Sequence, residues 1–148
     1  MSVVEFMHRH HVDCDHRFAA AEAAVRRGDW GQALPLLEGF VGATDAHFEA
    51  EESVLFPAFE AAVGHAGGPT QVMRIEHRQM RPLFGQMLAA CRAGDEAAFT
   101  GAADTLLVLM QQHNLKEEHI LYPMCDQVLA AGDMVDGLRE CLGEACPA

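Results

Sequence analysis

Residues 47–60 read HFEAEESVLFPAFE, and residues 113–126 read HNLKEEHILYPMCD. His47 and Glu51 stand four apart, as do His113 and Glu117, so on a helix each pair shares one face, one turn apart. Leu36, Phe40, Thr44, Val54 and Leu55 fall on the stripe of the first pair. Leu106, Leu109, Met110, Ile120 and Leu121 fall on that of the second, so both stripes are expected to face a core. Sliding the chain against itself by 66 residues aligns the two stretches and much more. Over the 47 positions from His11 to Pro57, twelve residues recur without a gap, among them His11/His77, Phe18/Phe84, Gly28/Gly94, Asp29/Asp95, Leu55/Leu121 and Pro57/Pro123. A helical hairpin used twice predicts an all-α, antiparallel up-down-up-down four-helix bundle.

The rest of the chain agrees with that reading. Ala, Leu, Glu, Arg, Gln and Met dominate, and no segment alternates with period two. Helices are expected to about Arg27, from about Trp30 to Val63, from about Thr70 to Ala93 and from about Glu96 to Ala131. A short amphipathic helix follows, with Met134, Val135, Leu138 and Leu142 on one side. Gly28-Asp29, Gly94-Asp95 and Gly132-Asp133 each offer a glycine to end one helix and an aspartate to cap the next. Pro57, Pro82 and Pro123 each remove a backbone donor and are expected to kink their helices near the repeated polar residues. The 148 residues are read as one domain, 1–148, with the duplication at about 11–62 and 77–128.

Composition narrows the function. Ten Lys and Arg against 22 Asp and Glu leave a net charge of −12, which repels polyanions and argues against nucleic acid or an anionic membrane as partner. No stretch is long and apolar enough to span a bilayer, and the N-terminus carries no apolar signal region, so a cytoplasmic location is expected. Five cysteines without a C-x-x-C spacing indicate neither a zinc ribbon nor a dithiol, and most of them are expected to be small core residues. Nine histidines are the unusual count.

Two of these lie on stripes of their own: His77 with Met73, Met80, Phe84, Leu88 and Cys91, and His11 with Met7, Cys14, Phe18 and Val25. Four imidazoles and two carboxylates are thus expected to enter one apolar interior from four helices. A buried, unpaired carboxylate costs several kcal/mol even after relaxation, on the order of what marginal stability tolerates. No Lys or Arg on these stripes could neutralise Glu51 and Glu117. Bound cations would, and His with Glu suits iron, manganese or zinc. Four nitrogens and two carboxylates exceed the needs of one tetrahedral zinc and fit two metals. The metal ligands are therefore expected to be His11, His47, Glu51, His77, His113 and Glu117.

Here the two stretches resemble the H-x-x-x-E-E-x-x-L-F-P motif of the hemerythrin-like (HHE cation-binding) family, and the resemblance extends over about residues 4–130. It implies two non-haem iron ions with a bridging oxo or hydroxo group, zinc or manganese being substitutes, and it assigns the ligands to the same six positions. Two departures separate this chain from the oxygen-carrying hemerythrins. Arg81 stands where they have a second histidine one turn after the third-helix ligand, and His113-x-x-x-Glu117 replaces their His-x-x-x-x-Asp. The set H…HxxxE…H…HxxxE is closer to bacterial iron–sulfur-repair proteins, although their Cys-bearing N-terminal domain is not among these residues. The function implied is to bind, sense or reduce a small diatomic or peroxide ligand (O2, NO or peroxide) at a carboxylate-bridged di-iron site, with Glu51 and Glu117 bridging and the four histidines as terminal ligands. The alternatives are iron binding and delivery related to iron–sulfur-cluster repair, and a zinc or manganese hydrolytic or structural site.

Several residues compete for roles. His16, in DHR, imitates His77, in EHR, so His16 and His10 stay open as substitutes for His11, which the ungapped register favours. His8, His10, His65 and His119 are expected to be solvated. Glu52 and Glu118, turned about 100° from the ligand carboxylates, are either surface charges or hydrogen-bond partners of ligand histidines. Tyr122, the one tyrosine, takes the place of Phe56 in the second repeat and is expected to pack, with a polar role near the metals as the alternative. Glu22 is expected to cap or bind water rather than to reach the metals.

Overall fold

The computed structural model describes residues 1–144. Its helices are α1 (Val3–Arg26), α2 (Trp30–Ala50), α3 (Phe56–Val63), α4 (Pro69–Ala93), α5 (Glu96–Lys116), α6 (Tyr122–Val128) and α7 (Ala131–Cys141), and there is no strand among the described residues. Ser2 opens α1 with a capping box to Glu5. Asp29 and Asp95 cap α2 and α5 by accepting the N–H of Gln32 and Ala98 at 3.1 and 3.0 Å. The preceding Gly28 and Gly94 take positive φ angles of 71° and 64°, which non-glycine residues adopt only with strain. These two tight corners fold α1 onto α2 and α4 onto α5, and the hairpins close as a bundle through α2 against α4 and α1 against α5.

Gly132-Asp133 does not mark a third corner. The helix ends earlier, at Val128, and α7 begins at Ala131, so both residues sit in its first turn. Val135 and Leu138 of α7 are buried, with Met134 and Leu142 partly so, as the apolar spacing requires. Cys146 lies outside the described residues; among the described residues Cys14, Cys91, Cys125 and Cys141 are free, with Cys91 and Cys125 buried, Cys14 half-buried and Cys141 exposed.

The expected helix from Trp30 to Val63 and its repeat are each interrupted by a π-helical turn, Glu51–Leu55 and Glu117–Leu121. In each, the N–H of the residue before the proline bonds five residues back: Phe56 to the Glu51 carbonyl, and Tyr122 to the Glu117 carbonyl. Pro57 and Pro123 cannot donate to the turn behind them, and one inserted residue absorbs the mismatch while the rod continues. Pro82, by contrast, lies inside an unbroken α4.

Two stripe residues turn outward. Leu36 is 38 % exposed, and Leu37 takes its place in the core. The buried seam of α2 runs Ala33, Leu37, Phe40, Thr44, His47, a spacing of 3.5 residues per turn that drifts away from an ideal helix over several turns. Ile120 is 53 % exposed within the second π turn. Its counterpart Val54 is half-buried because α7 crosses the first π turn, where a methyl group on Gly137 would lie 3.5 Å from Val54 Cγ1.

Candidate metal centre

His47 lies in the last turn of α2, His113 in the last turn of α5, and Glu51 and Glu117 each open a π turn. The widened turn begins at the carboxylate itself, so the helical face that carries each His–Glu pair stays aimed inward while the chain beyond it is re-phased. His11 from α1 and His77 from α4 complete the set. All six side chains are buried: Glu51, His77, His113 and Glu117 have no exposure, and His11 has 6 %. His16 is exposed and His10 turns its Nε2 to Glu144 at 2.8 Å, so His11 is the one of the three that joins the cluster. Glu22 pairs with Arg26 and joins nothing here.

The donor atoms form two overlapping groups that could each hold a metal ion. Glu51, His77, His113 and Glu117 make one, and His11, His47 and Glu117 make the other, with the donors of each within 4.8 Å of one another. Glu51 Oε1 is 3.3 Å from the Nε2 atoms of both His47 and His77. Glu117 Oε1 is 3.2 Å from those of His11 and His113. Yet Glu51 Oε1, both Glu117 oxygens, His77 Nε2 and His113 Nε2 are buried without a hydrogen-bond partner. At these separations, unpaired atoms are misaligned ones: the lone pairs aim at shared points rather than at each other. Orphaned nitrogen and oxygen donors converging in this way fit divalent cations of the iron, manganese and zinc kind.

The opposite edges of the imidazoles are held by carboxylates. His11 Nδ1 donates to Glu118 at 3.1 Å, His77 Nδ1 to Glu52 at 2.8 Å and His113 Nδ1 to Glu76 at 2.8 Å. A carboxylate only accepts, so each bond fixes the proton on Nδ1 and leaves Nε2 to face inward. Glu52 and Glu118 thus take the hydrogen-bonding role open to them. Arg81, at the position where oxygen carriers keep a histidine, turns away and grips Glu52 with two nitrogens at 2.9 and 2.8 Å and Asp45 with a third. Glu76, also bound by Lys116, is the partner that sequence reasoning missed. Its only signal was adjacency to His77. Among the described residues His47 Nδ1 has no partner.

Without metal, protons supply part of the neutralising charge. Burial opposes a charged His11, but the nearby Glu117 carboxylate and the bond to Glu118 raise it to about 9. Burial likewise opposes charge on His113, and Glu117 and Glu76 raise it to about 10. Burial also opposes charge on Glu51, but His47 and its other neighbours hold it well below the usual carboxylate range. Glu118 is pulled down to about 2 by His11, against the effect of its burial and with help from His8.

Residues 2–125 match the model of the Hemerythrin HHE cation binding domain. The chain belongs to that family. Searches of curated proteins and of solved structures return no match. In this hemerythrin-type domain the packing expected of Tyr122 is only half of its part. The ring is fully buried, and its hydroxyl donates to Glu51 Oε2 at 2.7 Å, standing 3.2 and 3.4 Å from the Nε2 atoms of His11 and His47. Burial and the charges of Glu117 and Glu51 push its ionisation well above the normal range, which makes it a hydrogen-bond donor. Phe48 stacks on His77 with centroids 3.9 Å apart, and no cysteine among the described residues belongs to either group. No helix among the described residues is long and apolar enough to cross a membrane.

Proposed function

We propose that this domain holds two non-haem iron ions between His11, His47, Glu51, His77, His113 and Glu117, and uses them to bind, sense or reduce O2, NO or peroxide. The observation that carries the reading is the pair of overlapping buried donor groups with Glu117 common to both. One tetrahedral ion would leave donors of this set unused. Iron would supply the electrons and the binding position for the small molecule. The chain does the rest. Phe48 and Phe56 flank His77, the carboxylates of Glu52, Glu76 and Glu118 orient three imidazoles, and the apolar core keeps bulk water away. A cavity of about 20 Å³ adjoins His11 and His47, walled by Phe18, Phe40, Phe48 and Leu106. That is room for one molecule about the size of water, which suits a diatomic or a peroxide. The complete burial of four of the six donors supports a resident ion over iron in transit.

The reading is tested by loading the protein with Fe(II) under anaerobic conditions and adding NO, O2 or peroxide. A new visible absorption band with at least one of them is expected, at two irons per chain. No spectral change with any of the three sinks the proposal. Iron passing to an acceptor protein faster than to a chelator would instead favour the delivery role.

A further inference from the structure

Hydroxyls elsewhere on these helices bond back to the carbonyl four residues earlier, Thr105 to Gly101 at 3.0 Å and Ser53 to Glu49 at 2.5 Å. Thr44 does not. It sits on α2 one turn before His47, is 2 % exposed, and its Oγ1 has no hydrogen-bond partner among the described residues. Cys14 stands beside it, but burial pushes that thiol up against the effect of Thr44, and a protonated thiol is a weak partner. A hydroxyl stranded in an apolar interior is costly unless a bound molecule takes it up.

Thr44 walls the cavity beside His11 and His47, and the repeat explains why there is space at that place. Cys14, Thr44 and Asn114 belong to the wall. At the corresponding place beside His77, the 66-residue repeat puts Met80, Met110 and Phe48, and Phe48 lies flat on the His77 ring with centroids 3.9 Å apart. Smaller side chains open room beside one pair of histidines, and larger ones take up its counterpart. Packing of the bundle does not call for a hydroxyl at residue 44, since methionine serves at residue 110. His11, Asp15, Phe18, Leu107 and Asn114 also wall a surface groove between α1 and α5, so the cavity opens toward solvent on that side.

We infer that Thr44 is the residue that holds and selects the small molecule at this site. Its hydroxyl donates to an oxygen or nitrogen of a diatomic or peroxide ligand lying in the cavity. A molecule with an acceptor atom there satisfies the hydroxyl, whereas an apolar one of the same size leaves it stranded. This inference rests on the two-ion reading above.

The test is anaerobic loading with Fe(II) and addition of NO as the probe, in the wild type, Thr44→Val and Thr44→Ser. The N–O stretching frequency in H2O and in D2O and the rate of NO release are read in each. The wild-type stretch should move on deuteration, because the donated proton exchanges. Thr44→Val keeps the shape and removes the hydroxyl, so that shift should vanish and NO should leave about 3- to 10-fold faster, the range of a single hydrogen bond. Thr44→Ser should behave as the wild type. Tyr122→Phe should keep the shift, since the Tyr122 hydroxyl is held by Glu51 and is not part of this wall. Iron content and circular dichroism check each variant, and Thr44→Ala serves as a second hydroxyl-free form. A wild-type stretch indifferent to deuteration, an unchanged shift and rate in Thr44→Val, or a shift lost in Tyr122→Phe instead overturns the inference and leaves the two-ion site standing. So does a loaded wild type that answers O2 or peroxide and does not bind NO; one that answers none of the three overturns both readings.

Discussion

In the first hairpin His47 of α2 and Glu51 of the π turn after it face His11; in the second, His113 of α5 and Glu117 of the π turn after it face His77. The groups behind them are not copies. His113 leans on Glu76, whereas the residue 66 places earlier is His10, 6.0 Å from the ring of His47 and bound to Glu144, so His47 Nδ1 has no partner among the described residues. Phe56 is matched by Tyr122, and α7 covers the first π turn but not the second. Converging donors must be kept in type and position if they are to hold cations, whereas one layer out any side chain that packs is compatible with the fold. Duplication therefore repeats the donors and lets their neighbours set the difference between them.

The strongest way to break the comparison is to remove one carboxylate at a time. Glu117→Ala and Glu51→Ala should each abolish two-ion loading, because Glu117 stands 3.2 Å from His11 and His113 and Glu51 3.3 Å from His47 and His77. Elemental analysis of the folded, dialysed proteins reads this directly, and two ions retained in either variant would contradict the arrangement. Next in size, Glu76→Gln should weaken metal binding by about 10- to 100-fold, the usual cost of disturbing a group that orients a ligand histidine. His10→Ala should change it by less than about 3-fold, since His10 makes no bond to His47. Equal effects in competition with a chelator would mean that the two halves are supported alike.

Acidity sharpens the comparison further. His11 and His113, raised to about 9 and 10, stabilise the metal-free fold fully below about 6.5, and that contribution fades as pH rises through 9 to 10. Glu118, lowered to about 2, contributes above about 4.5 and is lost as pH falls toward 2. The metal-free protein should therefore melt highest between about pH 4.5 and 6.5. Metal must displace the two imidazole protons, so its affinity should climb with pH up to about 10 and its uptake at pH 7 should release protons into weak buffer. The smallest contrast is in packing. Val54→Ala, under α7, should cost about 1 kcal/mol in denaturant unfolding, and Ile120→Ala, exposed, within about 0.5 kcal/mol.

Much of this was legible in the chain. The His–Glu pairs, the capped corners at Asp29 and Asp95 and the buried histidines follow from spacing, because a helix fixes which residues share a face. Glu76 was not legible, since it neighbours His77 on α4 yet serves His113 on α5, and no periodicity encodes a bond between helices. Leu36 and Ile120 misled for a related reason: an ideal period ignores the drift of a supercoiled seam and the extra residue of a π turn.

The sequence by itself determined the helices, their pairing into two hairpins and the kinds of donor placed at matched heights, all of which depend on neighbours three, four or 66 positions away. Only the tertiary structure decided where the Tyr122 hydroxyl goes, which carboxylate stands behind each imidazole and which π turn α7 covers. Those contacts depend on distances of a few ångströms between separate helices, set by how the whole bundle packs.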